Sequence, residues 1–157
     1  MDRSPFIRVR RFPYEEPYHT QVAFQASNGL FMGTCDIYCA VADLQAIGSA
    51  LEAFPRNVPD EYRFEYGSER REDRFSSYLL LRAFTTDSAG HCAIQFRMNL
   101  NEEPPRDGVC GFSILAEAGR INRLGALFLR LHKSSHGQIR WEPIEGESFE
   151  ENAEQTF

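Results

Sequence analysis

Cys39 and His91 are the residues of this 157-residue chain that could form a nucleophile and its base. Cys39 comes two residues before the first predicted helix, and a helix N-terminus can lower the pKa of a thiol. His91 follows Gly90 at a predicted turn and could accept the thiol proton. Nothing in the sequence joins these two residues. The sequence therefore favours a non-enzymatic protein-binding module. The alternative is a small-ligand-binding protein or an enzyme with a Cys39/His91 pocket.

Metal and cofactor chemistry has little support in the sequence. His132 and His136 are four residues apart near a helix end, and this spacing would place them on one helix face. The intervening serines disfavour a helix that continues so far. Cys35 and Cys39 lack the two-residue spacing of a zinc knuckle, and no glycine pattern matches a phosphate-binding loop. We expect no metal, no cofactor, solvated histidines and buried free thiols.

The composition indicates a single acidic domain. The formal net charge is -6, and 42% of the residues are hydrophobic. A negative chain has little general affinity for phosphates, so we expect no nucleic-acid partner and instead a basic protein partner. No stretch approaches the roughly 20 apolar residues of a membrane span. These features predict a cytoplasmic protein that does not contact a membrane.

Period-two alternation predicts most of the secondary structure. From Cys92 to Leu100 every second residue is apolar, which is typical of a strand with one face on the core. Asn28-Gly29 between two alternating runs predicts a hairpin. The other predicted strands are Phe6 to Phe12, which we expect at an edge of the sheet, His19 to Ala26, Leu30 to Cys39, Tyr62 to Tyr66, Phe75 to Thr86, Val109 to Ala116 and the short piece Gln138 to Trp141.

Two helices complete the predicted α+β fold. One helix runs from Val41 to about Phe54, where Pro55 prevents continuation, and the second runs from Gly119 to about Lys133. The order βββαββββα predicts a single antiparallel sheet of about six to seven strands with both helices on one face. Residues 1–141 form the predicted domain, and residues 142–157 form an acidic, disordered tail.

A charged loop and the polar sheet face are the predicted partner-binding surface. The loop is dense in charges of both signs, and the polar positions of the Cys92 strand lie on the side of the sheet away from the helices. The predicted residues are Glu69, Arg70, Arg71, Glu72, Asp73, Arg74, Gln95 and Arg97.

Several segments resemble a known family. They are a strand ending Cys35-Asp36-Ile37-Tyr38-Cys39, a helix with Leu44, Leu51 and Phe54-Pro55, the long strand before Gly90-His91, and a closing helix from Leu124 to Leu131. Together they resemble the wall-associated-toxin immunity family and its uncharacterised bacterial relatives. The resemblance implies a non-enzymatic, cytosolic protein that binds and neutralises a toxin domain. We expect that partner to be a basic toxin protein, and the chain itself to be a monomer or a weak homodimer.

Overall fold

The computed structural model describes residues 3–151 and contains two antiparallel sheets and two helices. The α+β class is confirmed, but the prediction of a single sheet is wrong. The strands are β1 (Phe6–Pro13), β2 (His19–Ser27), β3 (Met32–Ala40), β4 (Glu61–Tyr66), β5 (Tyr78–Thr85), β6 (Cys92–Asn99), β7 (Val109–Ala116), β8 (Gly137–Trp141) and β9 (Glu147–Glu151), and the helices are α1 (Val41–Glu52) and α2 (Ala118–Lys133).

The five-stranded sheet has the order β3-β2-β1-β8-β9. Its hairpin between β2 and β3 turns at Gly29, whose φ of 93° suits a residue without a side chain. The side-chain oxygen of Asn28 accepts hydrogen bonds from the backbone N–H groups of Leu30 and Phe31. β1 lies in the middle of this sheet, so the prediction that the first strand lies at the edge of the sheet is wrong. Its neighbour β8 comes from the far end of the chain, a pairing that local alternation cannot reveal.

The four-stranded sheet has the order β4-β5-β6-β7. Its inner face is apolar, since Leu79 and Leu81 of β5 and Ile94 and Phe96 of β6 are fully buried. The two sheets meet where β3 crosses this face. Gly33 allows the close approach, because a Cβ there would lie 2.9 Å from the sulfur of Met98. Helix α1 lies between β3 and β4 along the chain.

Glycines at the crossing point allow the two helices to pack closely against each other. A Cβ at Gly125 of α2 would overlap the backbone nitrogen of Glu52 and lie 2.7 Å from the carbonyl oxygen of Gly48 on α1. Helix α2 also packs on the inner face of the five-stranded sheet, where the rings of Phe24 and Phe128 are 6.2 Å apart. None of the helices within residues 3–151 has the length and apolarity to cross a bilayer.

Arg11 fixes the C-terminal end of α2 to the five-stranded sheet. The side chain is buried, and its Nη1 donates to the carbonyl oxygens of Leu131 (3.1 Å), His132 (2.8 Å) and Ser134 (3.3 Å). Its Nη2 lies 3.0 Å from both carboxylate oxygens of Glu16. The guanidinium therefore supplies donors to helix-end carbonyls that have no partner within the helix.

Part of the acidic C-terminal segment is ordered, although the sequence predicts disorder there. Residues Glu147–Glu151 form β9, which pairs with β8. Two arginines of α2 hold this strand: Arg120 lies 3.3 Å and Arg123 2.6 Å from the Glu147 carboxylate. Phe149 packs against the core. The part of the predicted tail in residues 152–157 lies outside the described residues, and the predicted domain boundary at residue 141 stays a prediction.

Candidate functional site

The structure does not bring Cys39 and His91 together in a pocket. Cys39 points into the apolar core and is 4% exposed, and burial raises the pKa of its thiol to about 12. His91 lies on the exposed turn between β5 and β6, with its Nδ1 2.7 Å from a carboxylate oxygen of Asp87. A buried, protonated thiol is a poor nucleophile. The predicted Cys39/His91 pocket is therefore wrong.

The two histidines at the end of α2 do not share a helix face. The helix ends at Lys133 and its C-cap is Ser134, so His136 lies beyond it. His132 instead has its Nδ1 3.2 Å from the carbonyl oxygen of Val41. In the part of the chain that the structure describes, no cluster of three or more His, Cys, Asp or Glu residues could hold a metal ion.

The predicted partner-binding residues come together in part. Arg97 forms a bidentate ion pair with Glu69, at 2.8 and 3.0 Å, which places the charged loop against the outer face of the four-stranded sheet. Gln95 lies on the same face and accepts a hydrogen bond from Arg82. The remaining predicted residues, Arg70, Arg71, Glu72, Asp73 and Arg74, lie on the exposed loop. A role for these residues in binding a partner stays a prediction.

We call the outer side of the four-stranded sheet the paired face, because each of its arginines has a carboxylate partner. Besides Arg97, Arg63 lies 2.7 Å from Glu65 and Arg82 lies 2.5 Å from Glu61. Acidic and basic residues alternate along β4, and Arg63 lies directly opposite Arg82 of β5. The paired face therefore carries little net charge, although it is rich in ionised groups.

The outer side of the five-stranded sheet has three arginines close together, of which Arg140 also lies 3.4 Å from the Glu142 carboxylate. Arg8 of β1 and Arg140 of β8 are directly opposite partners, and Arg10 follows on the same face. Like charges placed directly opposite on neighbouring strands destabilise a sheet. Burial lowers the pKa of Arg8, and repulsion from Arg140 lowers it further, while Glu150 on β9 opposes this shift. The site is thus a concentration of positive charge on a negative chain.

Two of these guanidinium groups lie over aromatic rings. The guanidinium of Arg140 lies 4.5 Å from the ring centre of Phe6, and that of Arg10 lies 4.6 Å from the ring centre of Phe12. Stacking of this kind is favourable and orients the guanidinium plane. Arg10 is only 2% exposed and lies within this surface, whereas Arg8 and Arg140 are half-buried and reach solvent. We call this surface the basic face; its members are Phe6, Arg8, Arg10, Phe12 and Arg140, with the amide side chains of Gln21, Gln25 and Gln138 beside them.

The sequence patterns do not reveal the basic face. They predict β1 at an edge of the sheet and do not pair it with β8. The available signal was the alternation of Arg8 and Arg10 with apolar residues, together with the same alternation around Arg140. Only the pairing of β1 with β8 brings the two patterns onto one surface.

Comparisons with known proteins find similarity in structure but not in sequence. No protein-family model matches the chain, and no curated protein matches it. The chain is similar to the structure of the plant transcriptional regulator PBF-2, with a TM-score of 0.46 and 10% identity over 82% of this chain and 75% of that one. It is also similar to WHY1 from Arabidopsis thaliana, with a TM-score of 0.48 and 10% identity over 82% of this chain and 83% of that one.

These neighbours correct the family predicted from the sequence. They are plant proteins, one of them described as a transcriptional regulator, and not bacterial immunity proteins. The resemblance to the wall-associated-toxin immunity family is therefore wrong. The same finding overturns the predicted function, toxin neutralisation or small-ligand binding, and the predicted partners, a basic toxin and no nucleic acid.

Proposed function

We propose that this protein binds single-stranded nucleic acid on the basic face. The proposal depends above all on the direct opposition of Arg8 and Arg140 on neighbouring strands. This arrangement costs stability in the free protein. A phosphate that lies between the two guanidinium groups turns the repulsion into two attractive, charge-assisted contacts.

The stacked guanidinium group of Arg140 favours single strands over duplexes. It lies over the ring of Phe6, so its plane is oriented before any ligand binds. Arg10 lies over Phe12 but is buried, so it adds positive charge and no stacking surface. Unstacked bases lie well on such flat surfaces, whereas a duplex hides its base faces. The neighbouring glutamines add hydrogen-bond donors and acceptors for base edges.

The net charge of -6 sets the conditions for binding. The acidic surface repels a polyanion at long range, while the two accessible arginines of the basic face, Arg8 and Arg140, attract it at close range. Each phosphate contact to a single strand contributes about -0.7 to the slope of log K against log salt. Two contacts predict a slope of about -1.4, so binding should be modest and best seen at low salt.

The test is fluorescence anisotropy with a labelled oligothymidine of about 20 nucleotides, a length that exceeds common single-strand site sizes. The double variant Arg8→Gln, Arg140→Gln should bind at least about tenfold more weakly, with the salt slope reduced by about 1.4. The matched control is the double variant Arg63→Gln, Arg97→Gln on the paired face. It removes the same formal charge and should lose much less affinity than the basic-face variant.

Three results would count against the proposal. The wild-type protein could fail to bind the oligonucleotide at low salt. The control variant could lose as much affinity as the basic-face variant, which would mean that only the net charge matters. A duplex of the same length could bind as tightly as the single strand, which would remove the role of base stacking.

We also propose a cytoplasmic location. All four cysteines are free thiols in the structure, as is usual for proteins in a reducing compartment.

A further inference from the structure

The edges of the two sheets differ in charge. The described part of the chain has four edge strands: β3 and β9 in the five-stranded sheet, and β4 and β7 in the four-stranded sheet. Charges on an edge strand discourage pairing with another chain. β3 carries one acidic residue, β4 carries three charged residues and β9 is largely glutamate, whereas β7, with the sequence VCGFSILA, carries no charge.

β7 also exposes apolar side chains on its outward side. Val109 is 56% and Leu115 is 75% exposed. The outward positions between them are Gly111 and Ser113, which are too small to block an approaching strand. A groove of about 540 Å³ lies beside Leu115 and is also lined by Ile144, which is 86% exposed. An uncharged edge with exposed aliphatic groups beside it is typical of a surface that pairs.

We propose that two copies of this chain pair antiparallel through β7, around a twofold axis at Phe112. Val109 and Leu115 are each three residues from Phe112. An axis at that residue therefore places Val109 of one copy opposite Leu115 of the other, and does so twice. Directly opposite residues lie on the same face of an antiparallel pair. The two most exposed side chains of β7 thus cover each other, and Gly111 faces Ser113 between them.

The distribution of charge favours a second copy of this chain as the partner of β7. Two copies, each with a net charge of -6, repel one another at most surfaces. Along the eight residues of β7 no charge of one copy faces a charge of the other. Asp107 and Glu117 lie just beyond the two ends of β7 and would oppose each other there, which limits the pairing to the strand itself.

The resulting assembly joins the two four-stranded sheets into one continuous sheet of eight strands. Because β7 belongs to the four-stranded sheet and the basic face to the other sheet, pairing leaves the basic face of each copy uncovered by β7. The dimer and the proposed nucleic-acid binding can therefore fail independently.

Disulfide trapping tests both the contact and its register. We expect a mixture of the Val109→Cys and Leu115→Cys chains to form a linked dimer under mild oxidation, since directly opposite positions have the spacing that a disulfide requires. Each variant alone should stay unlinked through its new cysteine, because in this register the two copies of position 109 are about 20 Å apart along the strands. Linkage in a single-variant sample, or none in the mixture, overturns the register.

Sedimentation equilibrium of the intact protein tests the interface without cross-links. The wild-type chain should be a dimer at low micromolar concentration, and added salt should not dissociate it because the contact carries no ion pairs. Leu115→Lys should be monomeric at the same concentration while it keeps its circular dichroism spectrum. Thr34→Lys, which adds the same charge to an exposed position of the β3 edge, should remain dimeric.

A monomeric wild-type chain would overturn the proposal. The β7 edge would then be free to pair with a strand of a different protein. A dimer that survives Leu115→Lys would also overturn it, since another surface would then hold the copies together.

Discussion

Replacement of Arg11 by Met should destabilise the fold by about 3 to 5 kcal/mol, the usual cost of removing one member of a buried ion pair. The Arg11 side chain is 3% exposed, and its guanidinium contacts Glu16, the hydroxyl of Thr20 and three carbonyl oxygens at the end of α2. Methionine keeps the apolar stem but leaves these acceptors without their donor. The Glu16 side chain is 28% exposed and recovers some hydration, so the lower end of the range, about 3 kcal/mol, is expected.

Urea unfolding followed by circular dichroism measures the loss as a change in the free energy of unfolding. The matched control is Arg63→Met, because the Arg63–Glu65 pair is about half exposed and should contribute only about 0 to 1 kcal/mol. A loss below about 1 kcal/mol for Arg11→Met, or a loss equal to that of the control, would refute the view that the Arg11 contacts hold α2 to the sheet.

Two further substitutions probe the helix crossing and the β5–β6 turn. Gly125→Ala should cost about 1 to 3 kcal/mol in urea unfolding, since its Cβ meets backbone atoms of α1; Gly119→Ala, with open space around its Cβ, should be neutral or stabilising, and equal effects would contradict the close crossing. Hydrogen bonding to Asp87 raises the pKa of His91 above its usual 6.5 and lowers that of Asp87. The stabilisation from the charged pair is therefore lost as the pH rises through the raised His91 value, and also as it falls through the lowered Asp87 value. NMR titration should show the His91 pKa falling in Asp87→Asn, and an unchanged value would contradict the pairing.

Local patterns in the sequence predict the elements of this fold well. The alternation from Cys92 to Leu100 corresponds to β6, Cys92–Asn99, and the Asn28-Gly29 signal corresponds to the hairpin of β2 and β3. Such patterns depend on which side of a strand meets the core, and that information is local. The helices are also placed within one or two residues of their observed starts and ends.

The partition into two sheets could not be predicted in the same way. It depends on which strands pair, and β1 pairs with β8 across most of the chain. Alternation in β1 is the same whether the strand lies at an edge or at the centre. The basic face was missed for this reason, since Arg8 and Arg140 become neighbours only through that pairing. The Cys39/His91 alternative failed because Cys39 alternates with Cys35 and Ile37 on the inward side of β3, where burial keeps its thiol protonated.

The central position of β1 has a consequence for the chain as it leaves the ribosome. The hairpin partners β2 and β3 follow β1 directly, but the second neighbour of β1, β8, begins only at Gly137. Pairings between such distant segments form slowly, and an unpaired strand edge promotes aggregation in the meantime. Until β8 emerges, β1 is a temporary edge, and the alternating charges of Arg8 and Arg10 protect it from other nascent chains. Two of the three arginines of the basic face thus also protect β1 from aggregation while the chain is being synthesised.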